Sequence, residues 1–201
     1  MIIKNFMISN PYTEEYFKSN NYANYLSKKE RYVRTADEIY HVFNKFSILN
    51  KDSSVLDYGC SLGFLIDGFK KIGIDNVYGY DISTWAIEQA KKSQCKIIST
   101  LEGTFDLGIF LDVLEHMTDE DIHEVFSKIK FDAVLVRIPC SVEENPTEFY
   151  LEVSRADKTH INCKTEKDWI EFFKKLGYSK HLYLNMSTIY NSDGCLCCVF
   201  L

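Results

Sequence analysis

Val55-Leu56-Asp57-Tyr58-Gly59-Cys60-Ser61-Leu62-Gly63 decides the reading of this chain. An apolar strand ends on an acid, turns through a glycine and enters a helix whose Leu62, Leu65, Ile66, Phe69 and Ile72 share one face, before Gly73 ends it. A second strand, Val77 to Tyr80, follows and ends on another acid, Asp81. Strand, acidic glycine turn, helix, strand and acid is the order in which an α/β sheet builds a nucleotide-type pocket. The acid at the first tip matters most, because it makes the lip of the pocket anionic where a pyrophosphate binder avoids negative charge.

Tyr32, Ala36, Ile39, Tyr40, Phe43 and Phe46 recur at three- and four-residue steps and predict an amphipathic helix over residues 28–49. Before it lies an aromatic, polar segment with Tyr12, Tyr16, Phe17, Tyr22 and Tyr25, read as a short helix and a loop. After Asp81, Ser83 is the expected N-cap of a helix from Thr84. Cys95 to Ser99 and Phe105 to Leu111 read as the third and fourth strands. Thr118 to Asp121 forms a capping box for a helix with Ile122, Val125, Phe126 and Ile129 inward. Ala133 to Ile138 is a fifth strand, Thr165 caps a helix carrying Trp169, Ile170, Phe173 and Leu176, and strands near 182–186 and 195–201 close the chain.

Strands alternating with helices imply a mostly parallel sheet covered on both faces. The last two strands have no helix between them, so they are expected to pair as an antiparallel edge hairpin. The connection from Ser99 to Phe105 is too short for a helix but can cross the sheet extended, because six steps reach about 20 Å.

Composition narrows the function. The 201 residues, 46% hydrophobic, suit one domain with a single sizeable core. A formal charge of −6 argues against a nucleic-acid-binding protein. Lys4 and Asn5 interrupt the apolar start, so Met1 to Met7 is not read as a signal peptide, and no stretch is long and apolar enough to span a bilayer. Seven cysteines at scattered spacing suggest reduced thiols, and a soluble cytoplasmic protein is expected. Cys195 and Cys198 form a C-x-x-C, but strand alternation sends them to opposite faces, so core packing is preferred to metal or redox chemistry.

In a doubly wound sheet the ligand lies outside the carboxyl ends of the strands, where strand order reverses. Asp57, Gly59 and Gly63 lie at that point, and Asp81 is placed to accept hydrogen bonds from a ribose diol. A ligand joining a ribose to positive charge, such as S-adenosylmethionine, satisfies both acids.

These residues resemble a class I S-adenosylmethionine-dependent methyltransferase of the small-molecule branch. Val55 to Gly63 is similar to that family's first motif and Gly79-Tyr80-Asp81-Ile82-Ser83 to its second. Phe105 to His116 resembles its fourth strand and the following turn, and Thr159-His160-Ile161-Asn162 a late segment. The resemblance covers the chain from about Ser53 onward. It implies a Rossmann-like, mostly parallel seven-stranded sheet in one domain, with residues 1–50 as an N-terminal helical cap and 51–201 as the core. It implies that the backbone at Gly59 and Cys60 meets the methionine end of the cofactor, that Asp81 holds the ribose, and that Ile82 packs on the adenine. Leu101 and Glu102 would edge the adenine, with Leu111 and Asp112 beside the methionine. The loop after the third strand departs from the family pattern: it is shortened and lacks the usual acid.

His160 is the first candidate for acceptor chemistry, because it follows the fifth strand on the cofactor side, and His116 is the second. Against this, His116 suits a plain backbone contact, and Glu115 a structural role in the turn. Arg137 is out of place in an apolar strand unless it pairs with a pocket acid. Two rival readings remain. An NAD-dependent oxidoreductase would need G-x-G-x-x-G at the first turn, and its Tyr-x-x-x-Lys pair, present as Tyr25 and Lys29, precedes the nucleotide motif. A non-catalytic cofactor-binding subunit is the other. No metal is expected, and the sequence leaves the acceptor and the oligomeric state open.

Overall fold

A computed structural model describes residues 11–18, 25–189 and 192–201. Met1 to Met7 and Tyr22, read above from sequence, lie outside the described residues.

Seven strands form one sheet: β1 (Val55–Tyr58), β2 (Val77–Tyr80), β3 (Lys96–Ile97), β4 (Gly103–Leu111), β5 (Ile129–Pro139), β6 (His181–Tyr183) and β7 (Cys195–Phe200). Their order is β3-β2-β1-β4-β5-β7-β6, with β7 antiparallel to both neighbours and the remaining pairs parallel. The chain moves outward from β1 to β3, then returns to β4 beside β1. The reversal point therefore falls between β1 and β4, where Asp57 pairs with Ile109.

A short α1 (Glu14–Lys18) precedes the sheet. Alternation along the strands sorts side chains onto two faces. Val55, Leu107, Ile109, Ala133, Leu135, Cys197 and Val199 face one core with α2 (Lys29–Lys45), α3 (Phe64–Lys71) and α4 (Thr84–Lys92), through Ile39, Phe43, Ile66, Phe69 and Ala90. Leu56, Tyr58, Phe110, Val134, Val136, Leu196, Cys198 and Phe200 face the other, packed on α5 (Asp119–Lys128) and α7 (Glu166–Lys175) through Ile122, Phe126, Trp169 and Phe173. Each core holds side chains no more than 8% exposed, so hydrophobic burial on both faces is the main source of stability. Alternation runs along β7: Cys197 and Cys198 enter different cores, Cys195 is buried on the parity of Cys197, and all seven thiols are free.

The caps hold as read. Ser83 accepts from the Ala86 N–H, Thr118 and Asp121 form the reciprocal box, and Thr165 accepts from the Asp168 N–H. Three expectations need correction. The helix over 28–49 stops at Lys45, leaving Phe46 57% exposed rather than on its apolar face. Ile129 starts β5 instead of closing α5; its 0% exposure comes from the strand's core face. The third strand keeps two residues, because it pairs only with β2 at the sheet edge.

The connection over 98–102 crosses β2 and β1 without a helix. Three strand spacings are about 14 Å, within reach of a short extended segment. The missing helix leaves Tyr78 and Tyr80 only half buried on that face, with Leu101 and Ile98 as cover.

Candidate functional site

The cleft over the reversal point has two lobes that share Gly59 and Asp112. The smaller, about 250 Å³, is lined by Asp57, Cys60 and Leu111 from the strand ends, Tyr25, Lys28, Arg31, Tyr32 and Thr35 from the α2 region, Arg137 from β5, and Thr188 and Ile189 from the late loop. The larger, about 680 Å³, runs over Tyr58, Tyr80, Asp81, Ile82, Leu101 and Val113, and ends among Tyr12, Tyr16, Phe17, His116, Thr159 and Ile161.

Face parity builds the smaller lobe. Asp57 shares the face of Val55, and Arg137 that of Leu135, so both point toward α2 and α3. Arg137 sits opposite Leu111 in the parallel register and ion-pairs with Asp112, which accounts for a cation inside an apolar strand. Asp57 is 6% exposed, and burial, with the Asp81 charge behind it, pushes its carboxyl up to about 7. Arg31 donates to the Thr188 carbonyl at 3.0 and 2.9 Å, and Glu38 accepts from the Ser187 and Thr188 N–H groups at 2.7 and 2.9 Å. Those bonds pin the late loop against α2 and fix that wall.

The turn after β1 needs its glycine. Gly59 has φ +80, and a β-carbon there would lie 2.5 Å from Val113 Cγ2, so both backbone and packing exclude a side chain. The Gly59 and Cys60 N–H groups both donate to the Tyr80 carbonyl, at 2.7 and 3.0 Å. Both residues line the smaller lobe, but not as N–H donors. Those N–H groups are spent on joining β1 to β2, and what the turn can offer is carbonyl oxygen, an acceptor suited to an ammonium group. Gly63 lines neither lobe. It is the left-handed N-cap of α3, and Cys95 Sγ occupies the place a β-carbon would take.

Asp81 braces the second tip. Its Oδ2 accepts the Ser61 N–H at 2.8 Å and its Oδ1 the Ser83 N–H at 2.7 Å, while burial raises its carboxyl above the ordinary value. The carboxylate faces the larger lobe, where it can accept from a diol. Ile82, 53% exposed, presents an apolar edge to that lobe, with Leu101 across it. Glu102, the other expected adenine neighbour, does not line it.

At the far end, a short 3-10 turn (Leu114–His116) puts Glu115 inside the protein and His116 on the wall of the larger lobe. The segment after α6 (Glu152–Ala156) brings His160 against it, with ring centroids 4.6 Å apart. His160 stands behind His116 and lines neither lobe, so His116, ranked second from sequence, is the one that faces the cleft. Burial pushes Glu115 up to about 8 and His116 down to about 4, and lowers His160.

Sequence reasoning missed Arg31, Thr35, Thr188 and Ile189. Arg31 and Thr35 sit beside Tyr32 at helical spacing, a detectable signal, whereas nothing in the late loop marks Thr188 or Ile189.

A doubly wound sheet whose ligand cleft lies across the reversal point, with a buried acid in one lobe and a strand-tip acid in the other, defines a nucleotide-type α/β enzyme. The chain belongs to the methyltransferase domain family, which matches residues 28–182. A ribosomal protein L11 methyltransferase of Paraburkholderia phymatum is 49% identical over 43 residues, or 21% of this chain and 14% of that protein. The methyltransferase domain of bacterial CtHen1 superposes with a TM-score of 0.58 at 18% identity, covering 87% of this chain and 98% of that one. Magnesium protoporphyrin IX methyltransferase of Synechocystis with bound SAH does so with a TM-score of 0.60 at 20% identity, covering 92% and 96%. At these identities the structural likeness is one of fold. Among the described residues no helix is long and apolar enough to cross a membrane.

Proposed function

We propose that this chain transfers the methyl group of S-adenosylmethionine to a nucleophilic atom of a small-molecule acceptor by in-line displacement. One observation carries the reading: Asp57 and Asp81 stand in two lobes of one cleft, joined through Gly59 and Asp112. A zwitterionic methionine tail needs both signs. The smaller lobe has Asp57 for its ammonium and Lys28 and Arg31 for its carboxylate. Asp81 takes the ribose diol, while Ile82 and Leu101 flank the adenine in the larger lobe. Cys60, Leu111 and Asp112 border the methionine, and Gly63 holds the turn in shape.

When bound, the cofactor supplies an already activated methyl group, so the protein's part is alignment and exclusion of water. Tyr12, Tyr16 and Phe17 form an aromatic wall at the acceptor end, a surface suited to an organic molecule with a flat or apolar part. His116, with His160 behind it, activates the acceptor there. The chain works as one domain, with the described part of the first fifty residues flanking the cleft of the core 51–201, in a cytoplasmic setting consistent with its free thiols.

Calorimetric titration with S-adenosylmethionine tests this. Asp81→Ala is expected to weaken binding by at least about tenfold, the value of a lost charge-assisted hydrogen-bond pair, with an unchanged circular dichroism spectrum. No heat of binding in the wild-type protein sinks the proposal.

A further inference from the structure

Glu115 is 0% exposed, and neither of its carboxylate oxygens has a hydrogen-bond partner among the described residues. A buried carboxylate left in that state is costly unless it takes up a proton or a cation or a set of N–H donors meets it. The groups that do face it are two imidazoles: His116 Nε2 and His160 Nε2 each lie 3.9 Å from Glu115 Oε1. All three residues can bring one ligand atom within 4.8 Å of the others. Ligands around a small divalent ion at about 2.1 Å are about 3.0–3.5 Å apart, so small side-chain rotations close the set.

We propose that Glu115, His116 and His160 form a binding site for a divalent transition-metal cation at the acceptor end of the cleft. Two imidazole nitrogens and one carboxylate oxygen suit zinc, manganese, iron or cobalt better than magnesium or calcium, which prefer all-oxygen sites. The surroundings are those of a supported site. His116 Nδ1 lies 3.0 Å from Thr159 Oγ1 and 3.2 Å from the Thr159 carbonyl. A proton on Nδ1 donated there leaves the Nε2 lone pair directed at Glu115. Thr159 Oγ1 in turn donates to Asp157 Oδ1 at 2.6 Å, and the other oxygen of Asp157 lies 3.9 Å from His160 Nε2. That carboxylate is close enough to serve as a fourth ligand or to steady the pair.

The three residues leave coordination positions for water or substrate, and His116 is part of the wall of the larger lobe. An acceptor hydroxyl bound to the ion loses its proton to solvent more readily. The oxygen lone pair then attacks the methyl carbon, and the carbon–sulfur bond breaks with its electron pair staying on sulfur as a thioether. This role rests on the methyl-transfer reading; the existence of the site does not.

The test uses the full chain, stripped with chelator and titrated with Co²⁺ while its visible absorption is recorded. One equivalent is expected to bind with d–d bands of nitrogen and oxygen ligation and no thiolate charge-transfer band. Glu115→Gln and His160→Gln, which keep side-chain volume, are each expected to weaken binding by at least about tenfold. His41→Ala, on the exposed side of α2, is expected to bind like wild type. Absence of d–d bands in excess Co²⁺, thiolate bands that mark the cysteines as ligands, or undiminished binding in both variants overturns the site. Where a variant fails to fold, the wild-type spectrum still decides. A cobalt spectrum without cofactor binding removes the methyl-transfer reading alone, and cofactor binding without cobalt removes the metal site alone.

Discussion

Asp57 shows how one side chain couples stability to ligand chemistry. It is a buried acid with the Asp81 charge nearby, and its carboxyl is held up at about 7 rather than at its unfolded value of 3.8. The folded state therefore binds more protons than the unfolded chain between about pH 4 and pH 7, and stability falls as pH rises through that window. Asp57→Asn is expected to flatten this slope and to stabilise the empty protein above pH 7, by an amount on the order of a few kcal/mol. Denaturant unfolding at a series of pH values reads the effect. An ammonium group in the smaller lobe reverses the electrostatics, favouring the charged carboxylate. Cofactor affinity is accordingly expected to rise with pH up to about 7 in wild type and to be weak and flat in Asp57→Asn. Calorimetry at three pH values checks this, and equal pH profiles for the two proteins would argue against contact between Asp57 and the ligand.

At the level of elements, α5 illustrates a local signal that survives into the tertiary structure. Thr118 Oγ1 accepts the Asp121 N–H at 3.1 Å, and Asp121 Oδ2 accepts the Thr118 N–H at 3.1 Å. Breaking the box with Thr118→Ala is expected to cost about 1 kcal/mol, or about 2–4 °C in thermal midpoint for a chain of this size. Because α5 lends Glu124 and Val125 to the larger lobe, a matching loss of cofactor affinity would show that helix-start geometry reaches the site; unchanged affinity would confine the effect to stability. Not every element was legible. Phe46 satisfied a helical period yet falls past the last turn, since a three-to-four-residue pattern cannot say where hydrogen bonding stops. Ile129 fitted the helix period and the strand period alike, and only its place beside Gly103 in the parallel ladder settles it.

The whole molecule brings the site together from segments far apart in the chain. Residues from β1, β2, β4, β5, the α2 region and the late loop line one cleft, so ligand binding is expected to hold the assembly closed. A ligand at one hundred times its dissociation constant adds about 2.7 kcal/mol, equivalent here to about 5–10 °C in thermal midpoint. Thermal melts with and without S-adenosylmethionine measure this, and Asp57→Asn and Asp81→Ala should lose most of the shift. A shift that persists in both variants would place the ligand elsewhere.

The order of strands and helices, the two acidic strand tips and the helix caps were readable from residues alone, because each depends on short-range spacing: period two, period three to four, or a cap three residues from its partner. The partnership of Arg137 with Asp112, the spent N–H groups of Gly59 and Cys60, the inversion of His116 and His160, and the burial of the Glu115 carboxylate against two imidazoles were not. Those depend on which strand lies beside which and on which loop folds back over it. Such contacts join residues tens of positions apart, and only the packed sheet brings them within a few ångströms.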